Sequence, residues 1–196
     1  MSKLAKTKYG IHFFLESRWS PLSFREDAVE KEKLQRIFEA ARWSPSAYNE
    51  QPWRFIVGEK GRETYNKILN SLVDMNIRWA KNAPVLIVSL AKKNFNHNNR
   101  ENIHSIYDVG QSVAYMTIQA MHEGLYTHQM AGFHFEMIKN HFNIPDEFYI
   151  VTVIAIGYLG KSDILDKDLK IRELADRERK DIGEIFYTDR FGNAWV

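Results

Sequence analysis

Cysteine is absent from the 196 residues of this chain. Disulfides, thiolate nucleophiles, zinc–thiolate sites and cysteine-held clusters are therefore excluded, and a reducing compartment is compatible, so we expect a cytoplasmic protein. An excess of one charge is also missing, because 27 Lys and Arg stand against 25 Asp and Glu and leave a net charge of +2. Nucleic-acid-binding proteins are usually far more basic, and we expect no nucleic-acid partner.

Long apolar runs and familiar catalytic strings are lacking too. Nowhere do about 18 apolar residues follow one another, so we expect no membrane span, and the amino end has no apolar stretch of signal-peptide length. The strings GxGxxG, GxxxxGK[ST], GxSxG and HExxH do not occur, and the seven histidines form no i, i+4 pair. We expect no metal site. If the protein is an enzyme, its reactivity is expected to come from an organic cofactor.

The most distinctive stretch that is present runs from Arg42 to Phe55 and reads RWSPSAYNEQPWRF. Pro45 and Pro52 restrict the backbone, so the residues between them are predicted to form a short, ordered arch between a helix and a strand. Uncharged polar groups suited to the edge of a flat heteroaromatic ligand lie on Ser46, Asn49 and Gln51. Candidate apolar walls are Trp43, Tyr48 and Trp53. The alternative is a packed corner whose amides only satisfy their own backbone.

Two other turns are candidate ligand contacts. In the first RWSP string, Arg18 and Ser20 can meet an anion with a guanidinium group and a hydroxyl. A surface arginine beside a capping serine is the more common outcome for such a pair. Further along, Ala131 has a small side chain and Gly132 has none, so a ligand can approach the backbone closely there. The alternative there is an ordinary turn made of small residues.

Hydrophobic periodicity predicts both helices and strands. Helices are expected near residues 11–17, 30–42, 61–73, 106–121 and 135–142, and strands near 54–58, 84–90 and 149–158. Residues 75–82 are less regular, and the asparagine-rich residues 91–102 are expected to form a mobile loop that covers a pocket or extends into solvent. The charged residues 161–180 are expected to form a solvated arm or helix.

The predicted helix over residues 106–121 is apolar nearly all round. Such a helix needs burial on both sides, and in a domain of this size one side is expected to meet a second subunit. The chain also ends in an aromatic tail that includes Phe186, Phe191 and Trp195. A tail of this kind must dock, for example as an added strand on a neighbouring sheet. Both features predict a homodimer.

Several of these strings together resemble the flavin-dependent nitroreductase family. Arg18–Pro21 and Ala40–Phe55 are similar to the opening of that family, and later blocks follow in the family's order. These blocks are YDVGQ at Tyr107–Gln111, EGL at Glu123–Leu125, AGF at Ala131–Phe133, AIGY at Ala155–Tyr158 and RERK at Arg177–Lys180. Each block alone is weak, but the ordered set is specific and covers roughly residues 14–195.

The resemblance implies an α+β fold, a sandwich in which a mixed, mainly antiparallel sheet is flanked by helices, in an interlocked homodimer. We therefore expect one domain over residues 1–196. Residues 1–10 are expected to be a flexible amino terminus, and residues 184–196 are expected to be an arm that docks on the partner subunit.

The resemblance also implies that the chain binds FMN. The phosphate would be held by Arg18 and Ser20 in the amino-terminal turn, where Trp19 is a further cofactor-binding position. Arg179, with Lys180 or Arg177 nearby, would close on the phosphate from the charged arm. The family commonly has Arg or Lys where this chain has Leu22, so one phosphate charge is missing. Positions that reach FMN across the subunit interface are matched by Ser46, Ala47 and Asn49. Ala131 and Gly132 match a loop whose backbone faces flavin N5, where an N–H donor stabilises the reduced ring.

The implied activity is an oxidoreductase with two half-reactions in one pocket. NAD(P)H passes a hydride to the flavin and leaves, and a small-molecule acceptor such as a nitroaromatic or a quinone takes its place. No side chain is expected to act as acid, base or nucleophile. The alternatives are dehalogenation or flavin cleavage on the same scaffold, a flavin-storing or sensory dimer without turnover, and a cofactor-free interaction protein.

Overall fold

The computed structural model describes residues 3–195, and its central feature is a four-stranded sheet. The strands are β1 (Trp53–Glu59), β2 (Val85–Lys92), β3 (Tyr126–Met130) and β4 (Phe148–Gly157). They lie in the order β1-β2-β4-β3, and every neighbouring pair is antiparallel. The apolar run that predicted a strand buried on both faces is thus one of the two central strands, while β1 and β3 are the edges.

Seven α-helices accompany the sheet in the described part of the chain. They are α1 (Phe13–Ser17), α2 (Lys31–Arg42), α3 (Glu63–Asn70), α4 (Asp74–Ala80), α5 (Ser105–His122), α6 (Phe135–His141) and α7 (Lys167–Leu174). None of the helices between residues 3 and 195 combines the length and the apolar composition that crossing a bilayer requires.

The two faces of the sheet bury separate apolar clusters, because alternate residues of a strand point to opposite faces. In β2, Val85 and Ile87 pack with apolar residues of α2 and α5. Leu86 and Val88 pack on the opposite face with residues of α3, α4, α6 and α7. The sheet is therefore the middle layer of a three-layer sandwich. The α+β architecture expected from the sequence is confirmed, with an antiparallel sheet flanked by helices.

Three segments differ from the periodicity-based expectation. Residues 75–82, read as irregular, contain α4, in which Trp79 is buried against Phe24. A helix of seven residues is too short for its apolar spacing to stand out. Strand β3 was not predicted, because it is a five-residue edge strand with polar residues, and pairing with β4 stabilises it. The asparagine-rich segment starts later than expected, because β2 continues through Lys92.

Gly58 allows β1 to pack closely against α3, and this contact provides a test of the sandwich. A Cβ atom at residue 58 would lie 2.7 Å from Tyr65 Cα and 2.8 Å from Tyr65 N. Backbone cannot yield as a side chain can, so we expect Gly58→Ala to lower the free energy of unfolding by about 1–3 kcal/mol. Gly10→Ala is the control, since a Cβ there meets nothing within 4 Å. Denaturant titration at one chain concentration measures both variants, and equal stability would contradict the packing.

Candidate functional site

A cavity of about 260 Å³ lies where the turn after α1 meets the segment after α7. Its walls include three of the residues predicted from the first RWSP string, namely Arg18, Trp19 and Ser20. The segment after α7 contributes Arg177 and Arg179. Lys180 does not line this cavity but a neighbouring groove. The structure therefore brings together residues that lie more than 150 positions apart in the sequence.

Like charges crowd this cavity. Burial lowers the pKa of the Arg18 guanidinium, and the positive charges of Arg177 and Arg179 lower it further. Burial, followed by the charge of Arg179, also lowers the pKa of Arg177. Such a cluster is unfavourable by itself, and a bound anion offsets both the repulsion and the lost hydration. The Trp19 indole N–H is buried on the same wall and has no hydrogen-bond partner within residues 3–195. The arrangement suits a multiply charged anion such as a phosphate.

The turn that carries Arg18 is held in place by the buried carboxylate of Glu173, at the end of α7. This carboxylate accepts hydrogen bonds from Leu22 N–H at 2.7 Å, from Ser23 N–H at 3.3 Å and from the Ser23 hydroxyl. The Leu22 side chain is 3% exposed and packs in the core. Leu22, where the resembled family commonly has Arg or Lys, thus packs in the core, and its backbone is held by Glu173.

Lys3 supplies a cation to the cavity that sequence reasoning missed. It lines the cavity, its ammonium donates to the Glu173 main-chain carbonyl, and it lies 4.6 Å from the centre of the Trp19 ring. Arg177 donates to the Lys3 carbonyl at 2.7 Å and so ties the amino-terminal segment to the same site. Nothing in the spacing of the sequence signals this role, because the residues meet only through the tertiary fold. Arg172, also missed, is a further cation on the wall.

His128 supports the turn from edge strand β3. Its Nδ1 lies 2.8 Å from the Pro21 carbonyl oxygen, and its ring centre lies 4.4 Å from that of Trp79. Burial lowers the pKa of His128. The shift favours the uncharged imidazole, and the Pro21 carbonyl can only accept, so Nδ1–H is the donor of this hydrogen bond.

The arch predicted between Pro45 and Pro52 is present and strained. Residues Ala47–Asn49 form a short 3-10 turn. Tyr48 and Asn49 each have φ 54° and Gln51 has φ 51°. These values lie in the left-handed region of backbone conformation, which residues other than glycine adopt infrequently. Strain of this kind persists only where the surroundings impose it, and it concentrates at ligand clamps and active sites.

Contacts within the molecule account for that shape. The Ser46 hydroxyl accepts from Gln51 N–H at 3.0 Å, so the corner satisfies part of its own backbone, as in the alternative interpretation. The Asp108 carboxylate, on α5, accepts from Ala47 N–H at 3.1 Å. Burial raises the pKa of Asp108. Glu50 accepts from Asn96 N–H at 2.8 Å and so attaches the asparagine-rich segment to the arch.

The backbone at Ala131 and Gly132 lies between β3 and α6 and packs on the start of α4. The Gly132 carbonyl accepts from Val73 N–H at 3.1 Å and from Asn76 Nδ2 at 2.9 Å. A Cβ at residue 132 would lie 2.7 Å from Asn76 Nδ2 and 2.9 Å from Val73 Cγ2, so glycine is what permits this approach. Within the described residues, neither Ala131 N–H nor Gly132 N–H donates a hydrogen bond. These two donors remain available to a ligand.

The predicted residues thus form separate groups in one chain. Ser46, Ala47 and Asn49 precede β1, one edge of the sheet, whereas the cavity lies beside β3, the opposite edge. Between residues 3 and 195, no three His, Cys, Asp or Glu side chains are grouped as a metal ion would require.

Comparisons with known proteins identify the family of this chain. The model of the nitroreductase family matches residues 15–158. A 15.4 kDa protein of Mycolicibacterium smegmatis is 31% identical over 147 residues, which is 71% of this chain and 98% of that protein. A Methanothermobacter thermautotrophicus protein named "Putative NADH dehydrogenase/NAD(P)H nitroreductase" is 28% identical over 79% of this chain and 82% of its own.

Among solved structures, an oxidoreductase containing FMN superposes with a TM-score of 0.92 at 31% identity, over 98% of both chains. A nitroreductase family protein of Clostridium difficile 630 superposes with a TM-score of 0.71 at 23% identity, over 92% of this chain and 99% of the other, and supports the fold alone. The match to the family model, the fold and the ordered sequence blocks lead to one conclusion. The chain belongs to the nitroreductase family.

Proposed function

We propose that this protein is an FMN-dependent oxidoreductase that takes a hydride from NAD(P)H and passes it to a small-molecule acceptor, such as a nitroaromatic or a quinone. The observation that carries the proposal is the arginine-lined cavity beside β3. Arg18, Arg177 and Arg179 converge there with the Ser20 hydroxyl. Burial, and after it repulsion by Arg177 and Arg179, lowers the pKa of Arg18. An FMN phosphate carries the negative charge and the acceptor oxygens that would complement these arginines.

The chain's own residues would bind and orient the cofactor. The arginines and Ser20 would hold the phosphate, with Lys3 as a further cation in place of the charge that Leu22 does not provide. The N–H groups of Ala131 and Gly132 are candidate donors to the flavin ring, because neither has a partner in the described chain. When bound, FMN supplies the ring that accepts and returns a hydride. The side chains supply position and polarity.

A homodimer is part of the proposal. Exposed apolar side chains occur on α5, at the end of α2, on the arch and in the tail, and they include Ile106, Tyr107, Trp43, Tyr48, Phe191 and Trp195. Tyr48 is 86% exposed and Phe191 is 91% exposed, which is unusual for aromatic residues and typical of interfaces. The arch and the arginine cavity lie at opposite edges of one sheet. A second subunit would allow Ser46, Ala47 and Asn49 of one chain to approach the cofactor held by the other.

The first experiment is a visible absorption spectrum of the purified protein, followed by addition of NADPH or NADH without oxygen. We expect flavin bands at about one flavin per chain, which bleach with the reductant and return when a quinone or nitroaromatic is added. Free FMN at the same concentration is the control for uncatalysed reduction. Light scattering of the same sample is expected to give the mass of two chains.

Two outcomes would contradict the proposal. A colourless protein that does not take up added FMN would exclude FMN as the cofactor and favour a cofactor-free interaction protein. A yellow protein whose bands do not bleach with either reductant would instead be a flavin-binding dimer without turnover. Bleaching that no quinone or nitroaromatic reverses would point to another electron acceptor.

A further inference from the structure

A second, larger groove adjoins the arginine cavity. Its volume is about 560 Å³, and it lies between the amino-terminal segment at residues 5–11 and the segment after α7 at residues 177–182. Arg177 and Arg179 line both the cavity and the groove, so the two spaces share a wall. The volume lies in the usual range of small-molecule sites, about 300–1,000 Å³.

The groove is strongly basic. Five cations line it, against one carboxylate, and they are Lys6, Lys8, Arg177, Arg179 and Lys180. The carboxylate belongs to Asp181, and it accepts from Gly183 N–H at 3.2 Å. Lys6 pairs with Asp176 at 3.1 Å. Within residues 3–195, Lys8 and Lys180 form no ion pair, so these two ammonium groups remain available to a ligand anion.

Apolar surface lies beside these charges. Tyr9 is 59% exposed and Ile11 is 46% exposed, and both line the groove together with Ile182. The Lys8 ammonium lies 5.6 Å from the centre of the Tyr9 ring, so a cation and an exposed aromatic face are adjacent. A ligand that combines a flat heterocycle with a phosphate fits such a surface, because the ring can stack while the phosphate meets the lysines.

We propose that this groove binds the adenosine 2′-phosphate end of NADPH and so makes NADPH the preferred reductant over NADH. The inference rests on the proposed function, because it concerns the co-substrate of that reaction. NADPH differs from NADH only by the 2′-phosphate, and the groove offers free lysines for that group. The nicotinamide lies at the other end of the dinucleotide and would remain free to reach the flavin ring.

The test uses adenosine 2′,5′-bisphosphate and adenosine 5′-monophosphate as probes, with binding to the FMN-loaded protein measured by calorimetry. We expect the bisphosphate to bind about tenfold or more tightly than the monophosphate. Lys8→Glu is expected to remove most of that difference and to raise KM for NADPH about tenfold or more, with KM for NADH little changed. Lys31→Glu, on the first turn of α2, is the control, because it makes the same charge change at an exposed lysine outside the groove.

Other outcomes would overturn the inference. Equal affinity for the two probes would mean that the groove does not recognise the 2′-phosphate. An equal loss of bisphosphate affinity in Lys8→Glu and Lys31→Glu would mean the same. Displacement of FMN by the bisphosphate would place the probe in the arginine cavity instead. The protein could also bind flavin adenine dinucleotide more tightly than FMN and lose this preference in Lys8→Glu. The groove would then bind the adenylate part of the flavin cofactor and not NADPH. Probe binding without flavin reduction would overturn the proposed function, and with it the role of NADPH as reductant, while the preference of the groove for the 2′-phosphate would stand.

Discussion

Replacement of Arg18 by glutamine is expected to lower the affinity for FMN by roughly 10- to 150-fold. Hydrogen bonds between charged partners contribute about 1.5–3 kcal/mol, and Arg18 is a half-buried arginine of the cavity. Part of this loss is offset, because removal of Arg18 also relieves its repulsion with Arg177 and Arg179. Fluorescence titration of flavin-free protein with FMN measures the effect.

Riboflavin, which lacks the phosphate, separates a charge contact from a general distortion. Wild type and Arg18→Gln are expected to bind riboflavin with similar affinity, and the FMN difference is expected to shrink as salt is added. Arg42→Gln is the matched control, since this exposed arginine pairs with Glu39 and lies outside the cavity. An equal loss of riboflavin and FMN affinity would mean that Arg18 shapes the pocket and does not bind the phosphate.

Replacement of Glu173 by alanine is expected to lower the free energy of unfolding by about 2–5 kcal/mol. The change leaves Leu22 N–H and Ser23 N–H buried without the acceptor they have in the native fold, and each such group costs about 1–3 kcal/mol. The same change releases the turn that positions Arg18, so FMN affinity should fall as well. Denaturant unfolding of the flavin-free protein at one fixed chain concentration measures stability without a contribution from bound ligand.

Asp176→Ala is the control for this prediction. It removes a carboxylate from the same segment, but between residues 3 and 195 the Asp176 side chain makes one exposed pair, with Lys6, and no other hydrogen bond. Such pairs contribute about 1 kcal/mol or less. Glu173→Gln keeps one acceptor oxygen and is expected to have an intermediate effect. If Glu173→Ala were no less stable than Asp176→Ala, the carboxylate would not hold the turn.

The sequence predicts the fold where apolar periodicity is long enough to be seen. Helices α2 and α5 and strands β2 and β4 were expected from their spacing and are present with boundaries within a few residues. Helix α4 and strand β3 were not expected, because each is short and is stabilised by packing or pairing with distant residues. Local pattern carries little information about elements of that kind.

The candidate site shows the same division. Arg18 and Ser20 could be named from their chemistry and from the resemblance to a known family, and Arg179 from the resemblance alone. The structure places all three at one cavity. Lys3 and Glu173 could not be named, since they contribute through contacts across the whole length of the chain. Their neighbours in sequence give no indication of a lysine beside a phosphate site or of a carboxylate beneath a turn.

The cavity also sets an order of events during biosynthesis. Its walls come from the amino-terminal segment, the turn after α1 and the segment after α7. Arg18 can therefore meet Arg177 and Arg179 only after these two residues have left the ribosome. Domains generally begin to fold while synthesis continues, and α2, β1 and β2 can assemble early. The anion site, by contrast, can form only when almost all of this sequence has been translated. Loading of the proposed FMN is therefore expected late in maturation, after α7 has added Leu169 to the core.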